Sequence, residues 1–188
     1  MSSWLLPDYI FATYREVTPE FLTSIGIKAL LIDIDNTLAP YEQPLPDEHI
    51  KAWFAALEQN GISATLVSNN DRERVELFNK DLGLPAYYKS GKPFAKNLKR
   101  AMRDMGSDRT NTAMLGDQLL TDAAAGKHIG LRTIIVPPIN DKNNAFFRAK
   151  RAMEVRTIKR YVRKRGGNSD KICRFWLDGL YKKKNRRA

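Results

Sequence analysis

Lys28-Ala29-Leu30-Leu31-Ile32-Asp33-Ile34-Asp35-Asn36-Thr37 is the stretch on which the fold turns. Its first half is short, apolar and unbroken, as expected of a strand buried on both faces of a parallel sheet. Its second half places two carboxylates at i and i+2, at the point where such a strand leaves the sheet. Carboxylates beside a buried apolar segment are costly unless they hold a cation or accept hydrogen bonds. Read alone, Asp-x-Asp also suits a helix cap or an Asx turn, so the neighbouring sequence has to decide.

Outward from this strand the chain alternates. Asp47 is placed to cap a helix with Ile50, Trp53, Phe54 and Leu57 at helical spacing, stopped by Asn60-Gly61. Residues 62–67 read as a second strand, and 71–82 as a helix with Val75 and Phe78 inward, ended by Gly83. A short strand follows at Ala86-Tyr87-Tyr88. Pro93 reads as the opening of a helix through Leu98, Ala101 and Met105. Strands at 112–115 and 133–136 flank a short helix from Leu119 to His128. Five strands separated by helices predict an α/β fold: a Rossmann-like three-layer sandwich around a five-stranded parallel sheet. Ligands of such folds bind beyond the carboxyl ends of the strands.

Four consecutive predicted strands end in polar signatures. They are Asp33-Ile34-Asp35, Ser68-Asn69-Asn70, Gly91-Lys92-Pro93 and Gly116-Asp117 through Asp122. Each alone is compatible with a turn or a cap. In a parallel sheet all four converge on one edge, and four unrelated turn signals in that order are improbable. Oxygen ligands of this kind suit a hard cation such as Mg²⁺, bound by a few carboxylates together with a phosphate. The lysine and the hydroxyl then hold phosphate oxygens. Spacing alone does not distinguish Asp33 from Asp35 as a nucleophile.

As an ordered set, these motifs resemble the haloacid dehalogenase-like phosphatases. The resemblance covers about residues 28–136. It implies that Asp33 is the nucleophile, forming an aspartyl-phosphate, and that Asp35 is the general acid and then the base. It further implies that Ser68, with Asn69, binds the phosphoryl group, that Lys92 neutralises charge, and that Asp33, Asp35 (through its carbonyl), Asp117 and Asp122 form the Mg²⁺ site. Asn36 and Thr37 are expected to fix the loop. Thirty residues separate Thr37 from Ser68 and 23 separate Ser68 from Lys92, too few for an inserted cap domain. A capless member is expected to act on a large substrate or at a surface. The aromatic N-terminus, Val67-Ser-Asn-Asn, Gly91-Lys-Pro and Gly116-Asp-Gln-x-x-Thr-Asp together look like the YqeG-type (class IIIA) subfamily. That group is similar to mitochondrial phosphatidylglycerophosphate phosphatases, which implies hydrolysis of that lipid to phosphatidylglycerol.

Charge divides the 188 residues unequally. Through Asp141, 15 Lys and Arg meet 18 Asp and Glu; from Lys142 on, 17 meet three. A catalytic domain over 1–141 and a basic, helical extension over 142–188 are expected. The extension divides into helices over 143–165, with Val155, Ile158 and Val162 on one face, and over 169–183, with Ile172, Phe175, Trp176 and Leu180 on one stripe. Basic amphipathic helices bearing Trp and Phe suit an anionic membrane surface, and Trp4, Leu5, Leu6, Tyr9, Ile10 and Phe11 are placed to join that surface. Packing of the stripes on the domain is the plain alternative, and nucleic acid or the ribosome is another partner for so basic a segment.

Composition sets the outer bounds. With 43% hydrophobic and 28% charged residues, wholesale disorder is excluded. No apolar run reaches the roughly 18 residues of a spanning helix. Asp8 and the lack of a basic start argue against a secretory signal. The lone Cys173 makes no internal disulfide, so a reducing, cytoplasmic setting with peripheral membrane contact is expected. His49, His128 and Cys173 receive no catalytic role. Soluble nucleotide, sugar and nucleic-acid-end phosphates are the competing substrates.

Overall fold

The computed structural model describes residues 5–140, 154–161 and 163. Six strands form one parallel sheet: β1 (Tyr9–Ile10), β2 (Ala29–Ile32), β3 (Ser63–Val67), β4 (Ala86–Tyr87), β5 (Thr112–Gly116) and β6 (Arg132–Ile135). Their order is β1-β6-β5-β2-β3-β4, so β2 lies in the middle. The sequence predicts five of these. The sixth, β1, is two residues long and pairs Tyr9 with Ile134 and Ile10 with Ile135. Two residues cannot display a periodicity, and β1 exists because Asp8 anchors it. The Asp8 carboxylate accepts the Thr133 N–H at 2.8 Å and lies 2.5 Å from Lys127 Nζ.

Within residues 5–140 the sheet is joined by α1 (Pro19–Ser24), α2 (Glu48–Gln59), α3 (Arg72–Asn79), α4 (Lys96–Asp104) and α5 (Ala124–His128). Asp47 and Asp71 cap α2 and α3, accepting the Ile50 and Arg74 N–H groups at 2.8 and 2.9 Å. Alternate residues of β2 divide the core, as the pleat requires. Leu30 and Ile32 join Leu22, Trp53, Phe54, Val75 and Phe78 under α1, α2 and α3. Leu31 joins Leu98, Ala101 and Ala125 under α4 and α5. The result is a three-layer α/β/α sandwich.

Two segments depart from the sequence reading. Pro93 does not open α4, which starts at Lys96; Lys92–Pro93 is a cis peptide in the turn before it. The predicted helix over 119–128 begins as a π-helical turn, Leu119–Ala123, before α5. Of the N-terminal apolar residues, Ile10 is buried in the domain, and the partly exposed Tyr9 and Phe11 meet Phe21 edge-on at 5.1 and 4.8 Å.

Part of the basic extension also packs inward. Residues 154–161 and 163 are helical, and Val155 and Ile158 are buried. Ile158 lies in a small core with Ile10, Leu119, Ala123 and Ile135. The Tyr161 hydroxyl donates to the Asp8 carbonyl at 3.2 Å. This apolar stripe is therefore taken up by the domain. The stripe from Ile172 to Leu180, the side chain of Val162, Trp4 and Cys173 lie outside the described residues. Among the described residues, no helix is long and apolar enough to cross a membrane.

Candidate active site

Register brings the motifs together. Ile32 pairs with Leu66 of β3 and with Leu115 of β5, so the three central strands end at one level. Asp33, Ser68 and Asp117 leave the sheet there. The connection from β2 to β3 holds α2, and that from β3 to β4 holds α3, with no inserted domain in either. The edge opens as a cavity of about 330 Å³ lined by Asp33, Asp35, Ser68, Asn70, Lys92 and Tyr41, among others.

Its floor is an acidic cluster around one lysine. Asp33, Asp117 and Asp122 are buried, with one carboxylate oxygen of each lying within 4.8 Å of the others. Lys92 Nζ lies 2.7 Å from Asp33 Oδ1 and 2.8 Å from Asp122 Oδ1, and it donates to the Val67 carbonyl at 2.7 Å. Burial alone would lower the lysine pKa, but Asp122 and Asp33 outweigh it and hold the ammonium firmly charged. Burial pushes the Asp33 carboxyl up to about 7; Lys92 opposes that shift and Asp122 adds to it. Three carboxylates and one ammonium leave two negative charges when all are ionised. A divalent cation with oxygen ligands is the complement of that set, and the donors fit Mg²⁺.

Gly116 makes the cluster possible. A Cβ there would lie 2.3 Å from Asp122 Cγ, so only glycine lets the Asp122 side chain fold back under the strand. Asp122 Oδ2 accepts the Gln118 N–H at 3.1 Å, closing the turn.

Asp35 stands apart. Its Oδ1 accepts from Arg74 Nε and Nη2 at 3.1 and 3.0 Å, and its Oδ2 accepts from Asn70 Nδ2 at 3.0 Å. Its carboxylate thus lies outside the three-acid cluster, and the side chain is no part of the candidate cation set. Arg74 also donates to the Pro44 carbonyl at 3.2 Å, tying α3 to the proline-rich loop. Sequence reasoning missed Arg74 and Asn70. Asn70 lay in a quoted motif, but Arg74 is 39 residues from Asp35 and sits in a helix whose pattern reports only its buried face.

Asn69 lines the cavity and also holds the Lys92 turn. Its amide donates to the Lys92 carbonyl at 2.9 Å and accepts the Lys92 N–H at 2.8 Å and the Ser90 hydroxyl at 2.9 Å. Through these bonds Asn69 fixes the Lys92 turn, and one N–H of its amide is not used by them. This clamp positions Lys92. Ser68 is buried, and its Oγ accepts the Asn70 N–H at 3.0 Å. Asn36, at φ 63°, accepts the Ile139 and Asn140 N–H groups at 3.0 and 3.3 Å, joining the loops after β2 and β6.

A three-layer α/β protein with its ionisable groups gathered at the carboxyl edge of a parallel sheet is the class that this arrangement defines. Residues 89–138 match the family model described as HAD-hydrolase-like. The "Probable phosphatase YqeG" of Bacillus subtilis is 35% identical over 164 residues, which cover 87% of this chain and 95% of that protein. The chain therefore belongs to the haloacid dehalogenase-like phosphatases, in their YqeG-type branch. It is also 27% identical over 153 residues to "Phosphatidylglycerophosphate phosphatase 1, chloroplastic" of Chlamydomonas reinhardtii, covering 77% of this chain and 57% of that protein. The structure of a "putative 3-deoxy-D-manno-octulosonate 8-phosphate phosphatase" from Vibrio cholerae superposes with a TM-score of 0.51 at 17% identity, over 70% of this chain and 75% of that one. It shares the fold.

Proposed function

We propose that the cavity hydrolyses phosphomonoesters through a covalent intermediate on Asp33, with phosphatidylglycerophosphate as the substrate. The cluster of Asp33, Asp117, Asp122 and Lys92 around one cavity is the observation that carries this reading.

An Asp33 carboxylate oxygen attacks phosphorus, and the bond from phosphorus to the ester oxygen breaks. Asp35 gives its proton to the departing alkoxide, then takes one from a water that attacks the same phosphorus. That second attack releases inorganic phosphate and regenerates the Asp33 carboxylate. Lys92 holds charge against Asp33 and the phosphoryl oxygens, and Ser68 donates its hydroxyl proton to one of those oxygens. Asp33, Asp117 and Asp122 would hold Mg²⁺, which supplies further neutralisation of phosphoryl charge. Arg74 and Asn70 position Asp35.

The lipid assignment has two supports. The short connections leave the cavity open, so a headgroup can reach Asp33 while its acyl chains stay in a bilayer. One relative carries the name of a phosphatidylglycerophosphate phosphatase. Phosphate release from that lipid in mixed micelles, measured beside a panel of soluble sugar, nucleotide and nucleic-acid-end phosphates, tests the assignment. Preferential turnover of the lipid is expected. Turnover of a soluble phosphate with none of the lipid would overturn the substrate and leave the chemistry.

A further inference from the structure

The described residues hold six large hydrophobic side chains that are well exposed: Tyr41, Leu45, Leu77, Tyr88, Phe94 and Ile139. Isolated exposed hydrophobics are ordinary, but these are not scattered. Five of the six stand on loops leaving the carboxyl edge of the sheet; only Leu77 lies on a helix. Tyr41 and Leu45 follow β2, Tyr88 and Phe94 follow β4, and Ile139 follows β6.

The same loops carry the site. Tyr41 lines the cavity. Leu45 adjoins Pro44, whose carbonyl receives Arg74. The Phe94 N–H donates to Gly91 at 2.8 Å, closing the turn that holds Lys92, and the Ile139 N–H donates to Asn36. Phe94 is 74% exposed and Ile139 is 50% exposed. Burying either inside would be favourable, so their exposure marks a surface that meets something apolar. Exposed cations alternate with them: Lys89 follows Tyr88, and Lys96 follows Phe94 by two residues. Glu42 is the exposed acid beside Tyr41, so the positive charge lies on the β4 side.

We propose that this rim is a membrane-docking surface: Phe94, Ile139, Leu45 and Tyr88 enter the apolar boundary of a bilayer bearing anionic headgroups, around the mouth of the cavity. The choice of a lipid occupant rests on the lipid reading of the site. Exposed apolar side chains on loops that also carry lysines match an interface with charged headgroups above acyl chains. The extension beyond Lys142, where 17 Lys and Arg meet three acids, adds attraction of the same sign. Docking by the rim points the mouth at the bilayer, which attraction by the extension alone does not require.

The test uses the full chain and phosphatidylcholine vesicles containing phosphatidylglycerol, with no phosphomonoester present. Salt near 0.5 M shortens the Debye length to about 4 Å and weakens attraction by the extension. Under these conditions Phe94→Ser is expected to weaken vesicle binding about tenfold, and Phe94→Ser with Ile139→Ser more steeply. Phe94→Trp is expected to retain binding. Hydrolysis of p-nitrophenyl phosphate by each variant should match the parent, showing an intact site. Vesicle binding unchanged in the double variant would overturn the proposal. So would a parent that ignores vesicles but self-associates in a manner lost with Phe94→Ser, because the rim would then join two copies. Intact, rim-dependent binding with no turnover of phosphatidylglycerophosphate would support the surface and count against the substrate alone.

Discussion

Asp33 and Asp35 leave the same strand two residues apart and meet opposite surroundings. Asp33 turns into the sheet edge, where it is buried with Asp117, Asp122 and Lys92. Asp35 turns outward, partly exposed, onto Arg74 and Asn70. A strand would keep residues i and i+2 on one face, but both lie beyond Ile32, where the chain turns out of β2, and that turn sends them to different neighbours. The inner carboxylate lies in a set with excess negative charge that a divalent cation completes. The outer one is held by donors that orient it without locking it into that set. Under the proposed mechanism the pair supplies a nucleophile and an acid/base from one strand end, a distinction the spacing does not contain.

The largest expected effect tests the inner member. Asp33→Asn should reduce turnover by about 10³ or more while leaving the far-ultraviolet circular dichroism unchanged, since it removes the attacking oxygen. Asp35→Asn should cost about 10² to 10⁴, and less with p-nitrophenyl phosphate, whose leaving group needs little protonation. Equal losses on good and poor leaving groups would contradict the acid role. Arg74→Ala should lower kcat by about tenfold and displace the pH profile, while Arg74→Lys, with one point of attachment, should recover only part of the loss. A change confined to KM would show that Arg74 binds substrate instead.

Two smaller effects concern stability. Glu154 is buried in the basic extension, and its Oε1 accepts the Leu119 N–H at 3.0 Å, two residues beyond Asp117. Glu154→Ala should cost about 1–3 kcal/mol in denaturant unfolding, because it leaves a buried N–H without that partner. Asp33 supplies a pH dependence in protein stripped of divalent cations by a chelator. Its carboxyl titrates near 7 when folded, against an ordinary 3.8. The folded state therefore binds this proton more tightly, and its contribution to stability falls as pH rises from about 4 to about 7. Thermal melts across that range should slope downward for the parent relative to Asp33→Asn, and Mg²⁺ should flatten the difference.

The central sheet was legible because β2 is a continuous apolar run and β3 and β5 carry short apolar segments, each ending at a polar cluster, and burial of those segments writes that pattern directly. The ordered clusters also placed Asp33, Ser68, Lys92, Asp117 and Asp122 on one edge before any coordinates. Contacts made at a distance were not legible. Arg74 reaches Asp35 through tertiary packing, and Asn69 occupies its amide on the Lys92 turn, which no local rule requires. The apolar stripe at Val155 and Ile158 is correct as a pattern, but a stripe does not say whether a membrane or the protein's own β1 and β6 will cover it. Phe94 is the converse case, since a single exposed aromatic makes no pattern until the fold brings its loop and those of Tyr41, Leu45, Tyr88 and Ile139 to the same edge of the sheet.

Trapping the intermediate tests the central claim most directly. Asp35→Asn enzyme with Mg²⁺ and p-nitrophenyl phosphate, quenched in acid and digested, should yield a peptide phosphorylated on Asp33, because attack proceeds while the water step lacks its base. No phosphorylated Asp33 under single-turnover conditions in which p-nitrophenol is released, or phosphate found on another residue, would contradict the account.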